Sequence, residues 1–181
     1  MGILLAFAPF FVFVIVERTI GVTVGLVAAA VVSAILFLRD MLSRKPIKVL
    51  DIGTLVLFGG LAIYASTVHP EWSVIAVRLR VDIGLLLIVL TSIALRKPFT
   101  LQYAREQVPQ EFWSSPEFVR TNYVITAVWA AAFAVMVTAE ACLLYLPGMS
   151  QRLGILATIL AVVAAVKFTS WYPERGKAKS S

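Results

Sequence analysis

The sequence predicts an all-α, polytopic membrane helix bundle: six transmembrane helices, or five with a first that inserts only partly. Three observations predict it. Of 181 residues, 60% are hydrophobic and 14% charged, against about 45–50% and about 25% in ordinary soluble domains. The apolar residues fall into runs close to the roughly 20 residues a helix needs to cross a hydrocarbon core about 30 Å thick. The basic residues gather in alternate connections between those runs.

Charge and composition also exclude several classes. The net charge of +6 is dispersed over connections and forms no basic face, so nucleic-acid binding is not expected. Cys142 is the one cysteine and His69 the one histidine. An intrachain disulfide and a Cys/His metal site within one chain are therefore excluded, and no cofactor is expected. The N-terminus lacks the basic region of a signal peptide, so residues 1–16 are expected in the mature protein.

Residues 3–16 (ILLAFAPFFVFVIV) are short for a span and are interrupted by Pro9. They predict a kinked or partly inserted first segment, closed by a polar turn at Glu17-Arg18. Residues 19–38 form a clear second span, followed by a basic loop over 39–48. The third span covers 49–68. A polar knot, His69-Pro70-Glu71, follows, and Trp72 stands where an interfacial aromatic belongs. The fourth span covers 73–95, and a long loop runs over 96–122. Residues 123–146 form the fifth span. Leu146-Pro147-Gly148 is a turn, because proline stops the helix and glycine permits reversal. The sixth span covers 153–171. The whole of 1–181 reads as a single integral-membrane domain.

Orientation follows from Lys and Arg in short loops, which remain cytoplasmic. With six spans, Arg39, Arg44, Lys45, Lys48, Arg96, Lys97, Arg105, Arg120, Lys167, Arg175, Lys177 and Lys179 share one side, against Arg18 and Arg152 on the other. Loops 39–48 and 96–122 and the C-terminus are thus expected in the cytoplasm. Arg44-Lys45-Pro46 recurs 52 residues later as Arg96-Lys97-Pro98. Either the chain repeats a two-helix unit, or both sites show the ordinary basic end of a cytoplasmic helix.

Ionisable groups inside hydrocarbon are functional candidates by default. Arg78, Arg80, Asp82, Glu140 and Glu17 all fall toward the outer side. Arg78 and Asp82, four apart, share one helix face; Arg80 points elsewhere, within reach of Glu140 or Glu17. Two readings stay open: a polar outer-leaflet cavity that binds a small charged ligand or lipid headgroup, or an interhelical ion-pair network. A lone loop histidine such as His69 reads as a solvated turn residue, and Lys167 as a snorkelling one. Gly21-x-x-x-Gly25 and Phe58-Gly59-Gly60 allow close helix approach. In the loop 99–122, Tyr103, Arg105, Phe112 and Trp113 (with Phe118) form either an interfacial aromatic belt or a docking site for a partner protein. No reactive set of side chains is assembled, so an enzyme is not expected.

Several short motifs run in a shared order along almost the whole chain. They are Pro9-Phe10, Leu57-Phe58-Gly59-Gly60-Leu61, His69 with Trp72, Lys97-Pro98, Trp113, Trp129 with Phe133, Leu146-Pro147 and Pro173-Glu174. In these the chain resembles the intracellular septation protein A family, also called inner membrane-spanning proteins. It departs from that family in its Arg78/Arg80 spacing and in its longer loop 99–122. The resemblance implies a multi-pass protein of the bacterial cytoplasmic (inner) membrane. It also implies a part in septation and cell-envelope maintenance through contacts with division (divisome) or elongation (elongasome) membrane proteins. It carries over no catalytic residue. Membrane lipids are the other expected partners, and a homo-oligomer stays open. The alternative is a small carrier or lipid-headgroup-binding protein.

Overall fold

The computed structural model describes residues 5–68, 70–146 and 148–177, and side chains as far as Glu174. The described residues are helical throughout, joined by short turns, with no strand among them. The chain forms two compact units, Met1–Ile88 and Val89–Ser181. His69 and Pro147, to which the sequence assigned turns, lie outside the described residues, as do residues 1–4 and 178–181.

The first unit begins with α1, Ala8–Thr19. Pro9 sits in its first turn, where a missing N–H costs nothing, so proline starts this helix instead of kinking it. Glu17 and Arg18, expected in a turn, are helical; the reversal comes at Gly21. There φ is +138° and ψ 166°, a region essentially reserved for glycine. With 12 residues, α1 is about 18 Å long, short of the roughly 30 Å of a hydrocarbon core.

Helix α2, Val22–Leu42, packs on both α1 and α3, Val49–Val68. A Cβ on Gly25 would lie 3.0 Å from the backbone nitrogen of Glu17, so this glycine sets the α1–α2 distance. In α3, Asp51, Thr54, Phe58, Ala62 and Ala65 are buried, the three-to-four spacing of one helix face. Helix α4, Val74–Ala94, buries Val77, Val81, Leu85 and Val89 on the same principle. The side chains of Leu57 and Ile88 fill the space above Gly84 and Gly53. Gly59 and Gly60, expected at a helix contact, face open space instead.

The last turn of α4 opens the second unit. A short helix α5, Phe99–Ala104, and a single 3₁₀ turn, Gln110–Phe112, lead to α6, Pro116–Tyr145, and α7, Gln151–Lys177. The α6 start is built by three local signals. Ser115 accepts a hydrogen bond from the Phe118 N–H, Pro116 takes the first turn and Glu117 supplies a negative charge there. These signals move the helix start seven residues ahead of the expected 123. Its 30 residues span about 45 Å. Its buried residues, Asn122, Ile125, Trp129, Phe133, Met136 and Glu140 among them, form one stripe.

The recurring Arg-Lys-Pro has one structural explanation. Arg44 and Arg96 take positive φ, 52° and 56°. At each, the following lysine N–H bonds to a carbonyl five residues back, Lys45 to Asp40 at 3.0 Å and Lys97 to Ser92 at 2.9 Å. This is the Schellman ending, in which one left-handed residue closes the helix and proline prevents its continuation. The repeat is thus a repeated helix cap. Both left-handed positions carry arginine where glycine would be less strained.

Candidate functional site

The polar outer group assigned from sequence divides between the units. Glu17, Arg78, Arg80 and Asp82 belong to the first, and Glu140 to the second. Glu17 ends α1 with its carboxylate buried, and Arg78 enters from the first turns of α4. Arg78 Nε donates to Glu17 Oε1 at 2.8 Å, and Arg78 Nη2 binds the same oxygen. Their side chains are 14% and 0% exposed, so this ion pair is internal. The partner of Glu17 is therefore Arg78, where the sequence reading had offered Arg80. Asp82, one turn below Arg78, is 3% exposed. Glu140 is 6% exposed on the inner stripe of α6.

Arg80 has a different environment. Its Nη1 donates to the Ala76 carbonyl at 2.7 Å, and its Cζ lies 4.6 Å over the Trp72 ring. The reason is positional: two residues on from Arg78, it cannot share that residue's face.

A second cluster, at the opposite end of the α2–α3 pair, was missed from sequence. Lys48 Nζ bonds Asp40 Oδ2 at 2.6 Å and lies 3.8 Å from Asp51 Oδ2. Arg39 Nε and Nη2 bond Asp40 Oδ1 at 2.9 and 2.7 Å. Lys48 is only 1% exposed. By sequence it is one of the basic residues of the loop 39–48; the structure buries it, because the Schellman turn brings the chain back so that Lys48 lies under the end of α2. The signal available in sequence was Lys48-x-x-Asp51, an opposite-charge pair at i,i+3.

In the second unit, the expected docking residues separate into two kinds. Phe99, Leu101 and Tyr103 are buried. Thr100 Oγ1 donates to the Asn122 carbonyl at 2.8 Å and accepts from Thr126 Oγ1 at 2.7 Å. Thr100 thus fastens α5 to α6, and Tyr103, being buried, offers no exposed surface to a partner. Beyond it the segment is exposed but ordered by contacts. Trp113 Nε1 donates to the Val108 carbonyl at 2.9 Å, Arg105 Cζ lies 5.5 Å over the Trp113 ring, and Phe112 is 50% exposed. Lys167 is exposed on α7. Among the described residues, no three His, Cys, Asp or Glu side chains gather as a metal site.

These features define the class. α2, α3, α6 and α7 are long and apolar enough to cross a membrane. Helix α7 presents Leu156, Ile159, Leu160 and Val163 outward, a surface that water would disfavour and lipid accepts. The protein is a helical bundle of membrane type. No protein-family model, curated protein or solved structure matches the chain.

Proposed function

We propose that the chain is a multi-pass protein of a bacterial cytoplasmic membrane that acts without catalysis, through membrane protein partners. In this reading α4 crosses with the four apolar helices. Its 21 residues suffice in length, and the pairing of Arg78 with Glu17 offsets much of the cost of an internal charge. Helix α1 inserts partly, from the outer side. The connections 43–48 and 95–115 and the C-terminus face the cytoplasm, by the positive-inside bias.

Orientation is checked by thiol labelling in a Cys142→Ser background. Ser150→Cys, between α6 and α7, is expected to react with an impermeant maleimide in spheroplasts. Ser43→Cys, between α2 and α3, is expected to react only after permeabilisation. The opposite pattern would reverse the orientation.

The observation that carries the partner reading is the segment 105–115. Arg105 and the Val108 carbonyl hold Trp113 in place, and Phe112 is half exposed beside it. An exposed aromatic on a pre-ordered support is the kind of residue that dominates protein interfaces. The internal ion pair, in contrast, reads as architecture. The role in septation and envelope maintenance, with division or elongation proteins as partners, rests on the family resemblance.

A photo-crosslinking residue at Phe112 is expected to join a division or elongation membrane protein in growing cells. Phe112→Ala is expected to reproduce the septation or cell-shape defect of a deletion while membrane levels of the protein stay unchanged. A fully functional Phe112→Ala variant with no crosslink would sink the reading.

A further inference from the structure

One exposed charge of the first unit has a built seat. Tyr64 lies near the C-terminal end of α3, and Trp72 lies in the connection to α4. Their rings stack with centroids 5.1 Å apart and planes at 11°. The Arg80 guanidinium covers the other side of this platform, 4.6 Å over Trp72. The hydrogen bond to the Ala76 carbonyl turns the side chain back toward the start of α4, where a spanning helix meets the interface. Tyr64 is 45% exposed, Trp72 half-buried and Arg80 exposed. Among the described residues Arg80 makes no ion pair: Arg78 takes Glu17, and Asp82 is buried on the other face of the helix. A guanidinium has five N–H donors, and the Ala76 carbonyl uses one.

We propose that Tyr64, Trp72 and Arg80 form a binding seat for the headgroup phosphate of an anionic phospholipid. The planar fork of arginine matches a phosphate through two parallel donors. Stacking on Trp72 holds that fork in one orientation, so binding loses less side-chain freedom than it would with a mobile arginine. Aromatic rings with one wet edge and one apolar face belong at headgroup level, where they cover the glycerol region of the bound lipid. An anionic lipid is favoured because zwitterionic headgroups bring their own ammonium to the phosphate. The proposal rests on the membrane reading of the fold and is independent of partner docking at Phe112.

The test uses the full chain in phosphatidylcholine nanodiscs doped with phosphatidylglycerol, with retained lipid read by native mass spectrometry. Only variants that co-float with vesicles and keep the parent melting temperature are compared, so failure of insertion is scored apart from failure of the seat. Arg80→Gln is expected to lower phosphatidylglycerol retention by roughly tenfold or more, the scale of one charge-assisted contact. Arg80→Lys and Trp72→Ala are expected to fall between, having lost the fork or its support. Arg18→Gln removes an exposed arginine from the end of α1 on the same side and is expected to change nothing. Equal loss in Arg18→Gln would show diffuse charge attraction and overturn the proposal. So would equal retention of both lipids by every variant, or displacement of the lipid by inorganic phosphate at millimolar concentration.

Discussion

Lys48→Met is expected to lower the stability of the detergent-solubilised protein by about 3–5 kcal/mol, the cost of leaving buried charge without its counter-ion. Lys48 is the cation between Asp40 and Asp51, at 2.6 and 3.8 Å. Asp40 and Asp51 are 4% and 9% exposed. Asp40 keeps Arg39, whose side chain is 48% exposed, so part of its charge stays balanced. The triple variant Lys48→Met, Asp40→Leu, Asp51→Leu is expected to recover much of the loss, because well-packed apolar groups replace buried ion pairs at little cost. Thermal unfolding of the three proteins checks this. A Lys48→Met variant that melts with the parent would show that water reaches the two carboxylates. The expected consequence is geometric as well. Lys48 ties the start of α3 to the end of α2, and its loss frees the turn that Arg44 closes.

The second large effect concerns Glu17 and Arg78. Arg78→Leu leaves the Glu17 carboxylate buried without its cation, and a loss of about 3–5 kcal/mol is expected. Glu17→Gln is expected to cost less, about 1–3 kcal/mol. The amide oxygen still accepts from Arg78 Nε, and the 14% exposed guanidinium can turn toward the interface. This asymmetry is the diagnostic. Equal losses would place the guanidinium in surroundings as closed as those of the carboxylate. Selective loss of a bound anion, with stability unchanged, would return the pair to the ligand-cavity reading. Because α1 is too short to cross by itself, the pair also anchors α1 against α4. Arg78→Leu is therefore expected to expose residues 8–19 to protease in vesicles before the rest of the unit.

The contrast between Arg78 and Arg80 shows how far a linear pattern reaches. Both arginines, their depth and the opposite faces they occupy are readable from the helical period. Which of them meets Glu17 is not, because that depends on how α1 lies against α4. Where α1 lies along α2, and so where Glu17 sits, is set by the glycine turn at Gly21 and the close contact at Gly25. Lys48 makes the same point more sharply. Beside Arg39, Arg44 and Lys45 it reads as one more basic loop residue. Only the closed turn at Arg44 brings it beneath the end of α2.

The sequence by itself determined the helical class, the extents of the helices over 49–68 and 74–94 to within a residue or so, and the basic ends of the helices. Hydrophobic run length and local charge report directly on the solvent around each segment, so no long-range information is needed. Only the tertiary structure decided that α1 is a short, paired helix, and that Gly59 and Gly60 face outward. The same holds for the burial of Tyr103, for Lys48 as a buried counter-ion and for the stack of Arg80 on Trp72. Each of these depends on what lies across from a residue, and a one-dimensional period fixes a residue's face without naming its neighbour.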